Sequence, residues 1–125
     1  MDLVAPDPAS LGGEAFCYLT TNGRVTGRPH TIEIWFALNG RALYILSGNG
    51  PRQRADWVRN LTKTPEVTVR IGDREFAGIG RIVEGDEEDD LARRLLLEKY
   101  KPTYSGDLSE WGRTALPVAV DLAAG

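Results

Sequence analysis

The sequence predicts an α+β, mainly β fold: six antiparallel strands closing into a small barrel, with two or three flanking helices. Three observations carry this expectation. Short β-branched and aromatic runs are separated by two-residue turn signals. Only two segments show helical periodicity. No Gly-rich loop follows a strand and opens a helix, which excludes a doubly wound, dinucleotide-type sheet. The 125 residues fit one domain, long enough to bury roughly two-thirds of the unfolded surface. With 42% apolar and 26% charged residues, the composition is that of a globular chain rather than a disordered one.

Residues 1–13 are rich in Pro, Ala and Gly and read as an N-terminal arm, leaving 14–125 as a single domain. Ala15–Thr21 is the first strand, stopped by Asn22-Gly23. Thr31–Leu38 is the second; it ends at Asn39-Gly40, a hairpin signal because both residues tolerate positive φ, and Ala42–Ser47 returns. After Gly48-Asn49-Gly50-Pro51 the period becomes helical, with Trp57, Val58 and Leu61 on one face of a helix over 51–63 that Thr64-Pro65 ends. Val67–Ile71 and Glu75–Val83 form a second hairpin through Gly72-Asp73. Gly78 and Gly80 inside it mark a bend or a close backbone approach. Asp86 caps a second helix, whose first-turn acids and final Lys99 and Lys101 match the helix dipole. Pro102 closes that helix, an aromatic segment with Tyr104 and Trp111 follows, and Leu116–Leu122 is the last strand.

Function classes narrow by elimination. One cysteine, Cys17, and one histidine, His30, rule out a disulfide framework and a tetrathiolate zinc site, and no metal-ligand cluster is apparent. Cys17 reads as a small buried hydrophobe. No apolar run approaches the roughly 20 residues that span a bilayer, and Met1–Gly13 is too acidic and Pro-rich for a signal peptide. The expectation is a cytoplasmic protein without membrane insertion. A net charge of −3 argues against nucleic acid.

The charge is uneven. Between Arg24 and Arg59 six arginines face two acids, so this stretch carries +4 in a chain whose total is −3. Arginine forks suit phosphate and carboxylate. Two loops in the stretch are candidate anion sites. In Asn22–Pro29, two glycines let backbone N–H groups converge beside Arg24, Thr26 and Arg28; the alternative is a solvated turn. In Ser47–Arg54, Arg52 and Arg54 stand at the expected helix start, where cations oppose the dipole unless an anion joins them. Trp35, Phe36 and Tyr44 read as core or dimer interface, Trp57 as a core anchor, and His30 as a phosphate contact or a surface residue.

These residues resemble a known family. Thr20-Thr21-Asn22-Gly23-Arg24-Val25-Thr26-Gly27-Arg28-Pro29-His30, Ser47-x-x-Gly50, Trp57-x-x-Asn60-Leu61-x-x-x-Pro65 and Arg113-Thr114-Ala115-Leu116-Pro117-Val118 are similar, in order, to the signatures of the deazaflavin-dependent nitroreductases. Those are split β-barrel oxidoreductases that use coenzyme F420 and are related to the FMN-binding pyridoxamine-phosphate-oxidase barrels. The likeness spans about residues 16–122. It departs from the pattern at Val25, at Gly48, and at Ala55-Asp56, where a Pro usually precedes the tryptophan. The resemblance implies that Arg24, Thr26 and Arg28 hold the cofactor's phosphate or side chain, that Ser47, Asn49 and Gly50 lie near its ring, and that Trp57 and Asn60 sit on the helix closing the site. It also implies a tyrosine proton donor, for which Tyr104 is the nearest match.

The expected function is therefore a deazaflavin (F420)-dependent reductase passing a hydride to a small electron-poor molecule such as a quinone, enone or nitro compound, as a homodimer. The alternatives are an FMN-dependent oxidoreductase on the same barrel, a binding protein without turnover, and a barrel that binds single-stranded nucleic acid.

Overall fold

The computed structural model describes residues 11–48 and 54–123. Seven strands form one antiparallel sheet: β1 (Cys17–Asn22), β2 (Pro29–Ile34), β3 (Ala37–Asn39), β4 (Ala42–Ser47), β5 (Glu66–Ile71), β6 (Arg74–Ile82) and β7 (Leu116–Leu122). Three helices accompany them: α1 (Asp56–Lys63), α2 (Asp86–Tyr100) and α3 (Ser109–Thr114). The strand order is β2-β1-β5-β6-β7-β4-β3. β2 and β3 are thus opposite ends of the sheet, yet only Trp35 and Phe36 separate them. Three peptide units reach at most about 11 Å, whereas seven flat strands are about 29 Å across. The sheet must curl until its ends nearly meet, which makes it a split barrel.

The seventh strand corrects the expected six: the run 31–38 is two strands. Backbone chemistry explains the break. The Phe36 N–H donates to the Tyr100 hydroxyl (3.0 Å), and Lys99 Nζ donates to the Phe36 carbonyl (2.9 Å). Side chains of α2 replace a ladder partner there. The two adjacent aromatics also face opposite ways: Phe36 is fully buried in the barrel core, and Trp35 packs on the α2 side.

The β3–β4 and β5–β6 hairpin loops have two residues each. Asn39 pairs with Ala42, so the first loop is Gly40-Arg41 rather than Asn39-Gly40, and Gly72-Asp73 joins Ile71 to Arg74 as expected. In each the glycine alone takes positive φ, 62° and 59°, the pattern of a Gly-first turn. In β6 the glycines mark close approach: a Cβ on Gly78 would stand 2.5 Å from Val120 Cγ1, and one on Gly80 3.1 Å from Leu61 Cδ1.

Val58 and Leu61 of α1 enter the barrel core with Leu19, Ile45, Val69 and Val118. Leu96 and Tyr100 of α2 cover the outer face against Tyr44, Leu46 and Ala119. β4 and β7 are therefore buried on both faces. A charged knot fastens α2: Arg81 makes a double hydrogen bond to Glu88 (both 2.7 Å) and reaches Asp121 (2.7 Å), while the Tyr44 hydroxyl donates to Glu88 (2.7 Å). Two helix starts differ from expectation. Gly85, not Asp86, occupies the N-cap of α2. More consequentially, α1 begins at Asp56, with Arg54 and Ala55 outside it, so the helix does not run from residue 51. An acid in the first turn suits the dipole, and the conflict inferred from Arg54 disappears.

Candidate functional site

The loop 23–28 between β1 and β2 is a closed turn: the Gly23 N–H donates to the Arg28 carbonyl and the Gly27 N–H to the Gly23 carbonyl, both at 2.8 Å. A Cβ on Gly23 would lie 2.9 Å from His30 Nε2, so the bare glycine lets the imidazole pack on the turn. Asn60, buried on α1, ties this loop to the barrel. Its Oδ1 accepts from the Arg24 backbone N–H (3.2 Å) and from Arg24 Nη1 (3.0 Å), and its Nδ2 donates to Thr21 Oγ1 (3.2 Å). Lys63 Nζ donates to the Arg24 carbonyl (2.8 Å), and Arg24 Nη2 pairs with Asp56 (3.2 Å). The result is a polar cavity of about 500 Å³, lined by Arg24, Thr26, His30, Asp56, Trp57 and Asn60, with Thr31 and Ile32 of β2 on its wall.

Glu33 and Ile34, next along β2, line a second cavity of about 520 Å³ with Trp35, Gly48, Tyr104 and Trp111. Successive residues of β2 thus line both cavities, the first bordered by charged and polar side chains and the second by aromatic ones. Trp35 organises the aromatic end. It stacks on Tyr100 (centroids 4.2 Å apart, planes 3° from parallel) and receives Tyr104 and Trp111 edge-on at 5.5 and 5.7 Å. The Tyr100 hydroxyl accepts from the Phe36 N–H and donates to the Ala15 carbonyl (2.8 Å). Burial pushes this phenol up to about 12, so it stays protonated. Tyr104 is half-exposed at the cavity mouth. A third cavity of about 510 Å³ shares the Phe16, Trp35 and Tyr104 wall and contains Lys99, which desolvation lowers to about 8.

The structure brings Arg24, Thr26, Trp57 and Asn60 together around one cavity. It places Arg28 on the exposed flank of the same loop, where its N–H donates to Thr26 Oγ1 (3.3 Å). Ser47 is buried on the β4 face shared with Leu43 and Ile45, away from the aromatic cavity that Leu46 and Gly48 line. Arg54 is exposed ahead of α1, while Asn49, Gly50 and Arg52 lie outside the described residues. Tyr104 belongs to the aromatic cavity, not the polar one. Cys17 is buried, and desolvation raises its thiol to about 12. Sequence reasoning assigned Trp35 to core or interface and gave Trp111 no role. The available signal was the Trp35-Phe36 pair, since adjacent side chains in a strand cannot share a face.

Comparison with known proteins agrees with this geometry. Residues 6–123 match the family model described as F420H(2)-dependent quinone reductase. An F420H(2)-dependent quinone reductase of Mycobacterium tuberculosis is 29% identical over 105 residues, covering 82% of this chain and 68% of the relative. Among solved structures, an F420-H2-dependent reductase superposes with a TM-score of 0.69 at 20% identity, covering 87% of this chain and 94% of that one. The heme storage protein HutZ of Vibrio cholerae gives 0.68 at 19% identity, over 90% and 84%. At such identities these two structures establish the split-barrel fold alone.

Proposed function

The chain belongs to the F420H(2)-dependent quinone reductase family, and from that premise we propose that the groove along β2 binds F420, anionic tail at the polar end and ring at the aromatic end. The donor set fits such a group. Arg24, Thr26 and His30 offer hydrogen bonds to an anion, and the indoles of Trp35 and Trp111 offer apolar walls beside Gly48. The observation that carries the reading is that successive residues of β2, His30–Ile32 and Glu33–Ile34, line the two cavities.

When bound, reduced F420 supplies a hydride for an electron-poor acceptor. The chain's own residues do the rest. Asn60 presents Arg24 to the anion, with Arg28 on the loop's outer flank to draw negative charge toward it. Trp35 and Trp111 exclude water from the aromatic end. Tyr104 donates a proton, or a hydrogen bond, to the oxygen where negative charge develops. A quinone carbonyl meets this requirement, and an enone or nitro group presents the same polarity. In this reading residues 14–125 act as one domain within a homodimer.

Titration of the purified protein with F420 and with FMN, followed by quinone-dependent oxidation of F420H2, tests the proposal. Saturable F420 binding with turnover is expected; binding of FMN without F420 would overturn it. Sedimentation is expected to show a species of twice the 13.7 kDa chain mass.

A further inference from the structure

Among the described residues lining the polar cavity, Asp56 is the only acid. It sits where the sequence departs from the family pattern, at the first position of α1. Its carboxylate lies 3.2 Å from Arg24 Nη2, while its side chain remains 85% exposed. Asn60 engages Nη1 of the same guanidinium, so each terminal nitrogen already makes one hydrogen bond within the chain. The α1 dipole favours an acid in its first turn, which keeps Asp56 in place whether or not Arg24 is paired. An anion reaching Arg24 either displaces this contact or binds the remaining N–H groups beside a carboxylate.

We propose that Asp56 is an internal competitor for Arg24 that sets a ceiling on the groove's affinity for a phosphate-bearing cofactor. The proposal rests on the reading that Arg24 meets the cofactor's anion. Arginine keeps further N–H donors, so the site still binds; Asp56 tunes how tightly. Because the pair is exposed, screening by salt should weaken the competition.

The test is equilibrium binding of F420, read by quenching of tryptophan fluorescence, in wild type, Asp56→Asn, Asp56→Ala and Arg24→Ala. Both Asp56 variants are expected to bind F420 roughly fivefold more tightly at low salt, the equivalent of an exposed charge pair. The gain should shrink at about 0.5 M salt, where the Debye length falls to a few ångströms. A deazaflavin riboside lacking the phosphate should bind all Asp56 forms alike. Unchanged or weaker F420 binding by Asp56→Ala would overturn the proposal. So would a gain confined to Asp56→Asn, which would reflect a new amide hydrogen bond. Arg24→Ala separates the two levels: if it leaves F420 affinity intact, the anion does not sit at Arg24 and the underlying reading fails. If it weakens binding while the Asp56 variants show no gain, only the competition fails.

Discussion

The seat of α2 and the cavities along β2 both use arginine and tyrosine, and they spend these residues in opposite ways. Under α2, Arg81 is enclosed by Glu88 and Asp121, which raise its pKa still further, and the Tyr100 hydroxyl is shared between the Phe36 N–H and the Ala15 carbonyl. In the groove, Arg24 keeps N–H groups beyond its contacts with Asn60 and Asp56, and the Tyr104 hydroxyl has no hydrogen-bond partner among the described residues. Residue type does not separate the two regions; unused bonding capacity does. A side chain whose donors and acceptors are all satisfied inside the fold holds the fold together. One with donors still facing a cavity can act on something else.

The sharpest way to break this contrast is to exchange the tyrosines' fates. Tyr104→Phe keeps the ring against Trp35 and removes only the donor, so turnover should fall about 100-fold with F420 affinity within about twofold. Tyr100→Phe should do the reverse: stability drops by about 1–3 kcal/mol because the buried Phe36 N–H loses its acceptor. A large turnover loss in Tyr100→Phe without loss of stability would place the proton donor under α2. The arginines come next. Arg24→Ala should weaken F420 binding about 10–150-fold, the range for a charged hydrogen bond, with a small change in Tm. Arg81→Ala should leave affinity alone but cost about 2 kcal/mol, or roughly 6–10 °C in Tm, by stranding the part-buried Glu88.

The smallest effect is on pH. The Arg81 guanidinium and then the Tyr44 hydroxyl hold the Glu88 carboxyl down from 4.5 to about 2. A depressed acid contributes stability that is complete above its unfolded pKa and is lost as pH falls through the folded one. Denaturant midpoints should therefore decline between about pH 5 and pH 2 by an amount worth about 1–2 kcal/mol, and the decline should flatten in Arg81→Ala. An equally steep acid limb in that variant would dissociate Glu88 from the network.

Much of the fold was legible because its signals are local. Gly72-Asp73, Thr64-Pro65 and the acid-to-lysine gradient of residues 86–99 each announce an element within a few residues. The polar cavity was partly legible for the same reason, since Arg24 and Thr26 share one glycine-flanked loop. What escaped depends on partners distant in sequence. The break at Trp35-Phe36 exists because Tyr100 and Lys99 supply its hydrogen bonds. The start of α1 is hidden because Ala55, an extended N-cap without a side-chain acceptor, carries no capping signal. The aromatic end joins Trp35, Tyr104 and Trp111 from three segments, and no periodicity links them.

The place of β7 governs the order in which the molecule can come into being. It is last in the chain among the seven strands, yet it lies between β6 and β4 and is their only bridge. Without residues 116–122 the ladder order leaves two separate sets of strands, β2-β1-β5-β6 and β4-β3, with β6 and β4 unpaired on the sides that β7 covers. Those edges are templates for pairing with other chains, so a nascent chain or one truncated before Leu116 is exposed to aggregation in a way the finished barrel is not. Closure must also await contacts between strands some 70 residues apart, such as Ser47 with Leu116, and long loops of that kind slow folding. The final seven-residue strand thus acts as the clasp of the barrel.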